Sequence, residues 1–177
     1  MEVVHIRRLV PGDLPAYRPL MLAAYERHPD AFTSSAAERA ALPMAWWEAR
    51  LRDEPLAVEL VLGAFEGPSL VGAAGVSFET REKARHKATL FGMYVPPEHR
   101  HKGIGHGLVV AALAHARGRS GVRLVQLTVT DRNAPAVALY ERCGFVAFGL
   151  EPLAVAVGEG YVSKLHMWCD LVVEARS

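Results

Sequence analysis

Between Met93 and Gly107 the chain reads MYVPPEHRHKGIGHG, an extended segment that runs into a glycine-rich turn flanked by cations and then into a helix. This arrangement can hold a phosphate on backbone N–H groups. Gly103 and Gly105 keep side chains away from the strand-to-helix junction, the first helical amides are unpaired, and the positive end of the helix favours an anion. Arg100 and Lys102 can supply flanking charge. The same residues also suit a tight turn beside a solvated basic run, so a second element has to decide. That element is Asn133–Phe145, NAPAVALYERCGF. Asn133 suits a helix cap and Pro135 the first turn, and Tyr140 returns to nearly the same helix face. Cap and phenol can therefore look into one cleft.

Other phosphate motifs do not fit. A P-loop ends in Gly-Lys-Ser/Thr, whereas this turn proceeds Gly105-His106-Gly107-Leu108. A dinucleotide fingerprint needs a parallel unit early in its domain and an acidic ribose ligand downstream, and neither is placed here.

The elements that must position these residues follow from apolar runs and breakers. Val3–Leu9 reads as a strand, and Pro11-Gly12-Asp13 as the turn before a helix reaching His28. Pro29-Asp30 ends it, and a second helix follows, finishing near Asp53. Ala57–Phe65 and Leu70–Phe78 flank the hairpin turn Glu66-Gly67-Pro68-Ser69, and Ala88–Val95 is the next strand. Short connections make these three antiparallel neighbours. Helix Ile104–Arg117, with Leu108, Ala111, Ala112 and His115 on one flank, leads to strand Val122–Thr130, helix Ala134–Arg142 and strand Phe145–Phe148. After Pro152, Leu153–Gly160 is a loop or hairpin arm, and Tyr161–Val173 is the last strand. The order describes one mixed α/β layer.

At 177 residues the chain suits a single domain with its own core. Twenty Lys and Arg against nineteen Asp and Glu give +1, so no global field points to nucleic acid, and one HRHK patch without a second basic stripe does not supply it. The N-terminus carries charges inside its first apolar run and does not read as a signal peptide. No window has the apolar length of a membrane span, so a soluble, cytoplasmic protein is expected. Cys143 and Cys169 form no CxxC pair, and no His/Cys/Asp/Glu spacing suggests a metal.

Together, MYVPPEHRHKGIG and NAPAVALYERCGF resemble the two acyl-coenzyme A motifs of the GCN5-related N-acetyltransferase (GNAT) superfamily. The first matches Arg/Gln-x-x-Gly-x-Gly/Ala at Arg100, Gly103 and Gly105. The second matches Asn…Ala…Tyr…Gly-Phe at Asn133, Ala136, Tyr140, Gly144 and Phe145. The resemblance implies a single N-acetyltransferase domain over residues 1–177, with a mixed, mostly antiparallel sheet flanked by helices. It implies a splayed opening between the strands ending near Val95 and Thr130, where a pantetheine arm pairs along Met93, Tyr94 and Val95. It further implies that Arg100, His101, Lys102, Gly103, Ile104 and Gly105 hold the pyrophosphate. Asn133 is then a cofactor-side contact, with plain helix capping as its alternative.

The implied reaction moves acetyl from acetyl-coenzyme A directly to a primary amine in a ternary complex, without an acyl-enzyme or a metal. Tyr140 occupies the general-acid position, with packing beside Phe145 as the alternative, and the Met93 or Tyr94 amide can polarise the thioester carbonyl. Where some relatives carry a glutamate, this chain has Thr89, which cannot accept a proton. His86 is the candidate base because imidazole is the side chain that exchanges protons near neutral pH, with Glu79, Glu82, Glu26, Asp30 and His166 as further candidates. Cys143 has no histidine fixed by spacing and reads as packing. Trp46, Trp47, Tyr25 and Phe32 are acceptor-side candidates. The local carboxylates permit a polyamine or aminoglycoside acceptor, an open groove would favour a polypeptide, and the protein is expected as a monomer or homodimer. Thr89 also admits a noncatalytic coenzyme A sensor.

Overall fold

Val4–Arg8 (β1) leads into a single turn at Pro11–Asp13, where Asp13 accepts the Val10 N–H at 2.8 Å and pairs with Arg7. The structure, a computed structural model, describes residues 3–172. Leu14–Arg27 (α1) is the first helix. The single second helix expected from the sequence is in fact two: Ala36–Ala40 (α2), opened by a Ser35–Glu38 capping box, and Met44–Arg50 (α3). Pro43 causes the break, because proline lacks an N–H and bars the residue before it from helical backbone. These helices bury Tyr17, Met21, Tyr25 and Trp47 against one face of the sheet.

Glu59–Glu66 (β2), Ser69–Phe78 (β3) and Lys87–Tyr94 (β4) are antiparallel neighbours, as the short connections required. Then come Ile104–Gly118 (α4), Leu124–Thr130 (β5), Ala134–Arg142 (α5), Val146–Val157 (β6) and Gly160–Asp170 (β7). The seven strands form one sheet in the order β1-β2-β3-β4-β5-β7-β6, and only β4 and β5 run parallel. Helix α4 buries Leu108, Val109, Ala112, Leu113 and Ala116, while His115 lies exposed off the flank first assigned to it.

Strand β6 is longer than expected. Pro152 does not end it, since β6 is an edge strand and a register shift between Glu151 and Val155, with Leu153 at φ 52°, absorbs the missing N–H. No helix among the described residues is long and apolar enough to cross a membrane.

One irregularity governs the rest. Strands β4 and β5 pair only from Lys87–Leu124 to Thr89–Gln126 and then part. Across β4 the register with β3 passes from Gly75↔Phe91 to Ala73↔Tyr94, one residue too many on β4, with Gly92 at φ 58°. This bulge bends β4 and aims its second half away from β5.

Candidate active site

The parted strands open a cleft of about 940 Å³. Residues Thr89 to Val95 of β4 and its exit line one side, and Gln126 to Thr130 of β5 the other. Their facing N–H and C=O groups lack the strand that would normally pair them, so the cleft is lined by backbone that seeks an extended partner.

At the open end of this gap, past the C-terminal end of β4, stands the N-terminus of α4. Gly103 sits at the N-cap with φ 79°, a conformation that favours glycine, and no side chain caps the helix. The first amides of a 15-residue helix therefore point into the cleft unpaired. Gly105 is closely packed, since a Cβ there would lie 3.1 Å from the end of Leu139 and 3.2 Å from the end of Met93. Arg100, His101, Gly103, Ile104 and Gly105 line the cleft together with Met93, Tyr94, Val95, Asn133 and Tyr140. Lys102 does not: its ammonium pairs with Glu66 at 3.2 Å, away from the opening. Arg100 turns back, its Nε donating to the Val95 carbonyl at 2.9 Å, which fixes the turn to the end of β4. These residues fit a diphosphate on helix amides and an extended, amide-bearing arm in the strand gap.

Asn133 caps α5, its side-chain oxygen accepting the Ala136 N–H at 3.3 Å. Seven residues on, Tyr140 is 7% exposed and stands edge-on to Phe145 with ring centroids 5.8 Å apart. Burial pushes its phenol well above the ordinary range, and the nearby Cys143 adds to the effect. The hydroxyl stays protonated at every practical pH, as a proton donor must.

His86 is not part of this site. It is exposed before β4, at the end where β4 and β5 are still paired, and its carbonyl accepts the N–H groups of Arg123 and Leu124 at 2.7 and 3.1 Å. Glu26, Glu79 and Glu82 also lie outside the lining, and of the sequence-named carboxylates only Asp30 lines the cleft. His166 does reach it, with Nε2 2.8 Å from Glu151 across the β6–β7 hairpin. Cys143 has a histidine neighbour after all, His106 Nδ1 at 3.6 Å, but burial raises its thiol pKa, so it is no ready nucleophile.

The wall facing the glycine turn comes from α1, α2, α3 and β7. Tyr25 and Phe32 contribute to it edge-on to one another, 4.9 Å between centroids. Trp47 is buried core against Tyr17, whereas Trp46 stands behind the wall and supports two arginines, Arg39 and Arg50. The segment 28–34 crosses above the opening, held by Thr130 Oγ1 donating to the Asp30 carbonyl at 2.6 Å and by Lys164 donating to Thr33 at 3.1 Å. His28, Arg39, Arg50 and Lys164 had not been singled out from the sequence. His28 follows α1 directly, its Nε2 buried without a partner and its ring 5.6 Å from that of Tyr94. Burial and then Arg100 hold its pKa below the ordinary value, so it is neutral.

Residues 21–145 match the Acetyltransferase (GNAT) family. This chain belongs to that family. It is 31% identical over 147 residues to a mycothiol acetyltransferase of Salinispora arenicola, covering 81% of this chain and 45% of that protein. The chain thus spans about half the length of that relative. An L-amino acid N-acetyltransferase of Escherichia coli is 28% identical over 122 residues, 68% of this chain and 73% of that one. A GNAT acetyltransferase from Streptococcus pneumoniae superposes with a TM-score of 0.86 at 24% identity, covering 95% and 99% of the two chains, and shares the fold.

Proposed function

We propose that the chain is one N-acetyltransferase domain that transfers acetyl from acetyl-coenzyme A directly to a primary amine. The observation that carries this reading is the strand gap ending on the uncapped α4 amides, with the protonated Tyr140 beside it. Acetyl-coenzyme A, when bound, supplies an acetyl group activated as a thioester. Met93, Tyr94 and Val95 offer backbone to the extended arm, and the turn from Arg100 to Gly105, its Lys102 side chain apart, receives the diphosphate. Tyr140 delivers a proton to the departing sulfur as the new C–N bond replaces the C–S bond. No residue of the chain carries the acetyl group.

The acceptor ammonium must first lose a proton. On the wall opposite the glycine turn, His166 has its orientation fixed by a carboxylate, Glu151 at 2.8 Å, which is the usual construction of a general base. We assign it that role in place of His86. With His166 assigned as base, the noncatalytic sensor that Thr89 admits is the second reading. The proposal includes a cytoplasmic site of action, with the chain acting as a monomer or homodimer. Calorimetric titration with acetyl-coenzyme A, followed by a thiol-release assay over a panel of amines, tests the reading. Saturable binding near one per chain with amine-dependent thiol release supports it, and absence of binding by folded protein overturns it.

A further inference from the structure

Charge is distributed unevenly in the cleft. Six of its lining side chains are arginine or lysine, namely Arg39, Arg50, Arg100, Arg132, Arg142 and Lys164, and Asp30 is the single carboxylate. Arg100, Arg132 and Arg142 lie beside the glycine turn and α5, where a cofactor bearing several phosphates accounts for them. Arg39, Arg50 and Lys164 lie on the opposite wall, where the acceptor would sit, and no phosphate of the cofactor explains them.

These three are held in place. Arg50 is 8% exposed, and its guanidinium stacks 4.3 Å from the Trp46 ring centroid and 4.7 Å from that of Phe91. Arg39 stacks on the same indole at 4.6 Å and on Tyr25 at 5.5 Å. The Nε atoms of both are buried with no hydrogen-bond partner among the described residues, although Arg50 forms an ion pair with Glu59 at 3.7 Å and lies against the Tyr17 hydroxyl, so Arg39 is the less compensated of the two. An Nε left buried without a partner is costly, and aromatic faces offset only part of that cost. Lys164 stands at the rim, bonded to Thr33.

We propose that Arg39 and Arg50, positioned by Trp46 and joined at the rim by Lys164, form a subsite for an oxyanion on the acceptor, so that the preferred substrate is a small amino acid-like amine carrying a carboxylate. This rests on the transferase reading above. A guanidinium presents donors in a planar fork that matches a carboxylate, and two of them on one indole give a fixed landing for it. The same field repels a polyamine or aminoglycoside, an acceptor that the carboxylates near in sequence had only permitted. A small acceptor is favoured over a polypeptide because segment 28–34 is tied over the opening by the Thr130 and Lys164 hydrogen bonds.

The test uses the full chain with saturating acetyl-coenzyme A and matched acceptors: free amino acids, their methyl esters, spermidine, and peptides with an acidic second residue. Thiol release gives kcat/KM, and calorimetry with coenzyme A present measures binding of the N-acetyl amino acid and of its ester. The free acid should exceed its own ester by roughly tenfold to a hundredfold, the usual worth of a charge-assisted hydrogen bond. Arg39→Gln should collapse that ratio through KM and through product affinity, leaving the KM for acetyl-coenzyme A unchanged. Because Arg50→Gln can fail to fold, Arg50→Lys is its companion, expected to retain charge but lose most of the preference. Equal use of acid and ester, preference for spermidine or for the acidic peptides, or an Arg39→Gln ratio like the parent's overturns the subsite while leaving the transferase reading intact. If acetyl-coenzyme A does not bind, or no amine is acetylated, the transferase reading falls and the subsite with it.

Discussion

Replacing Tyr140 with phenylalanine removes one oxygen and keeps the ring in its edge-on contact with Phe145, 5.8 Å between centroids. Stability should therefore change little, within about 1 kcal/mol. Rate should not be spared. A positioned proton donor contributes about 10²–10⁴-fold, or roughly 2.7–5.4 kcal/mol at about 1.36 kcal/mol per factor of ten. The lower end applies here, because an alkyl thiol with a pKa of about 8.5 is a tolerable leaving group already. The phenol is held protonated by burial, so its own titration puts no limb into a pH–rate profile below pH 9. The thioester sulfur has no proton to lose before the C–S bond breaks, so without a donor it departs as thiolate at any pH. We expect kcat for Tyr140→Phe to fall about 10²-fold at pH 7.0, with acetyl-coenzyme A affinity within twofold of the parent. The deficit should stay level between pH 7 and 9. Steady-state thiol release across that range, with calorimetric cofactor binding as control, measures both. A variant within about threefold of the parent at pH 7 would make Tyr140 a packing residue, and a loss mirrored in cofactor affinity would make it a binding one.

His166→Gln should lower kcat about 10²-fold at neutral pH without altering cofactor affinity, and Glu151→Gln should lower it less, both read by thiol release. Gly103→Ala places a Cβ in a left-handed conformation at φ 79° with no atom within 4 Å to clash, so the cost is strain of about 1–2 kcal/mol, seen as a melting point lower by roughly 2–8 °C. Thr130→Val removes the 2.6 Å bond to the Asp30 carbonyl; a loss of about 1 kcal/mol and faster amide exchange confined to residues 28–34 are expected. His28 has a folded pKa lowered chiefly by burial, so the unfolded chain binds more protons below pH 6.5. Its contribution is complete above about pH 6.5 and is lost as pH falls toward the folded value, so the urea midpoint should drop between pH 7 and 5, less so in a His28→Gln variant.

The cofactor side was legible because its signals are local. Glycines, a cap and a phenol at helical spacing lie within two short stretches, and Gly103, Gly105, Asn133 and Tyr140 all reach the cleft. The Lys102 side chain leaves the turn toward Glu66, 36 residues earlier, a direction that no local pattern encodes. The acceptor wall was not legible. Arg39 and Arg50 share a surface only because Pro43 breaks the helix between them and Trp46 brings both guanidiniums onto one ring. No periodicity encodes that. His86 failed for a geometric reason: nearness in sequence to β4 is not nearness to the part of β4 beyond Thr89, since a strand carries successive residues about 3.3 Å apart along its axis.

The parting of β4 and β5 has a consequence for inhibitor chemistry. The gap is walled by peptide groups that present alternating donors and acceptors, while its open end offers helix amides to an anion. A flat heteroaromatic would fill the volume and leave those groups unanswered. Compounds that compete here should instead be thin, extended and amide-bearing, with an acidic terminus one helix turn deep: in effect, a short prosthetic strand.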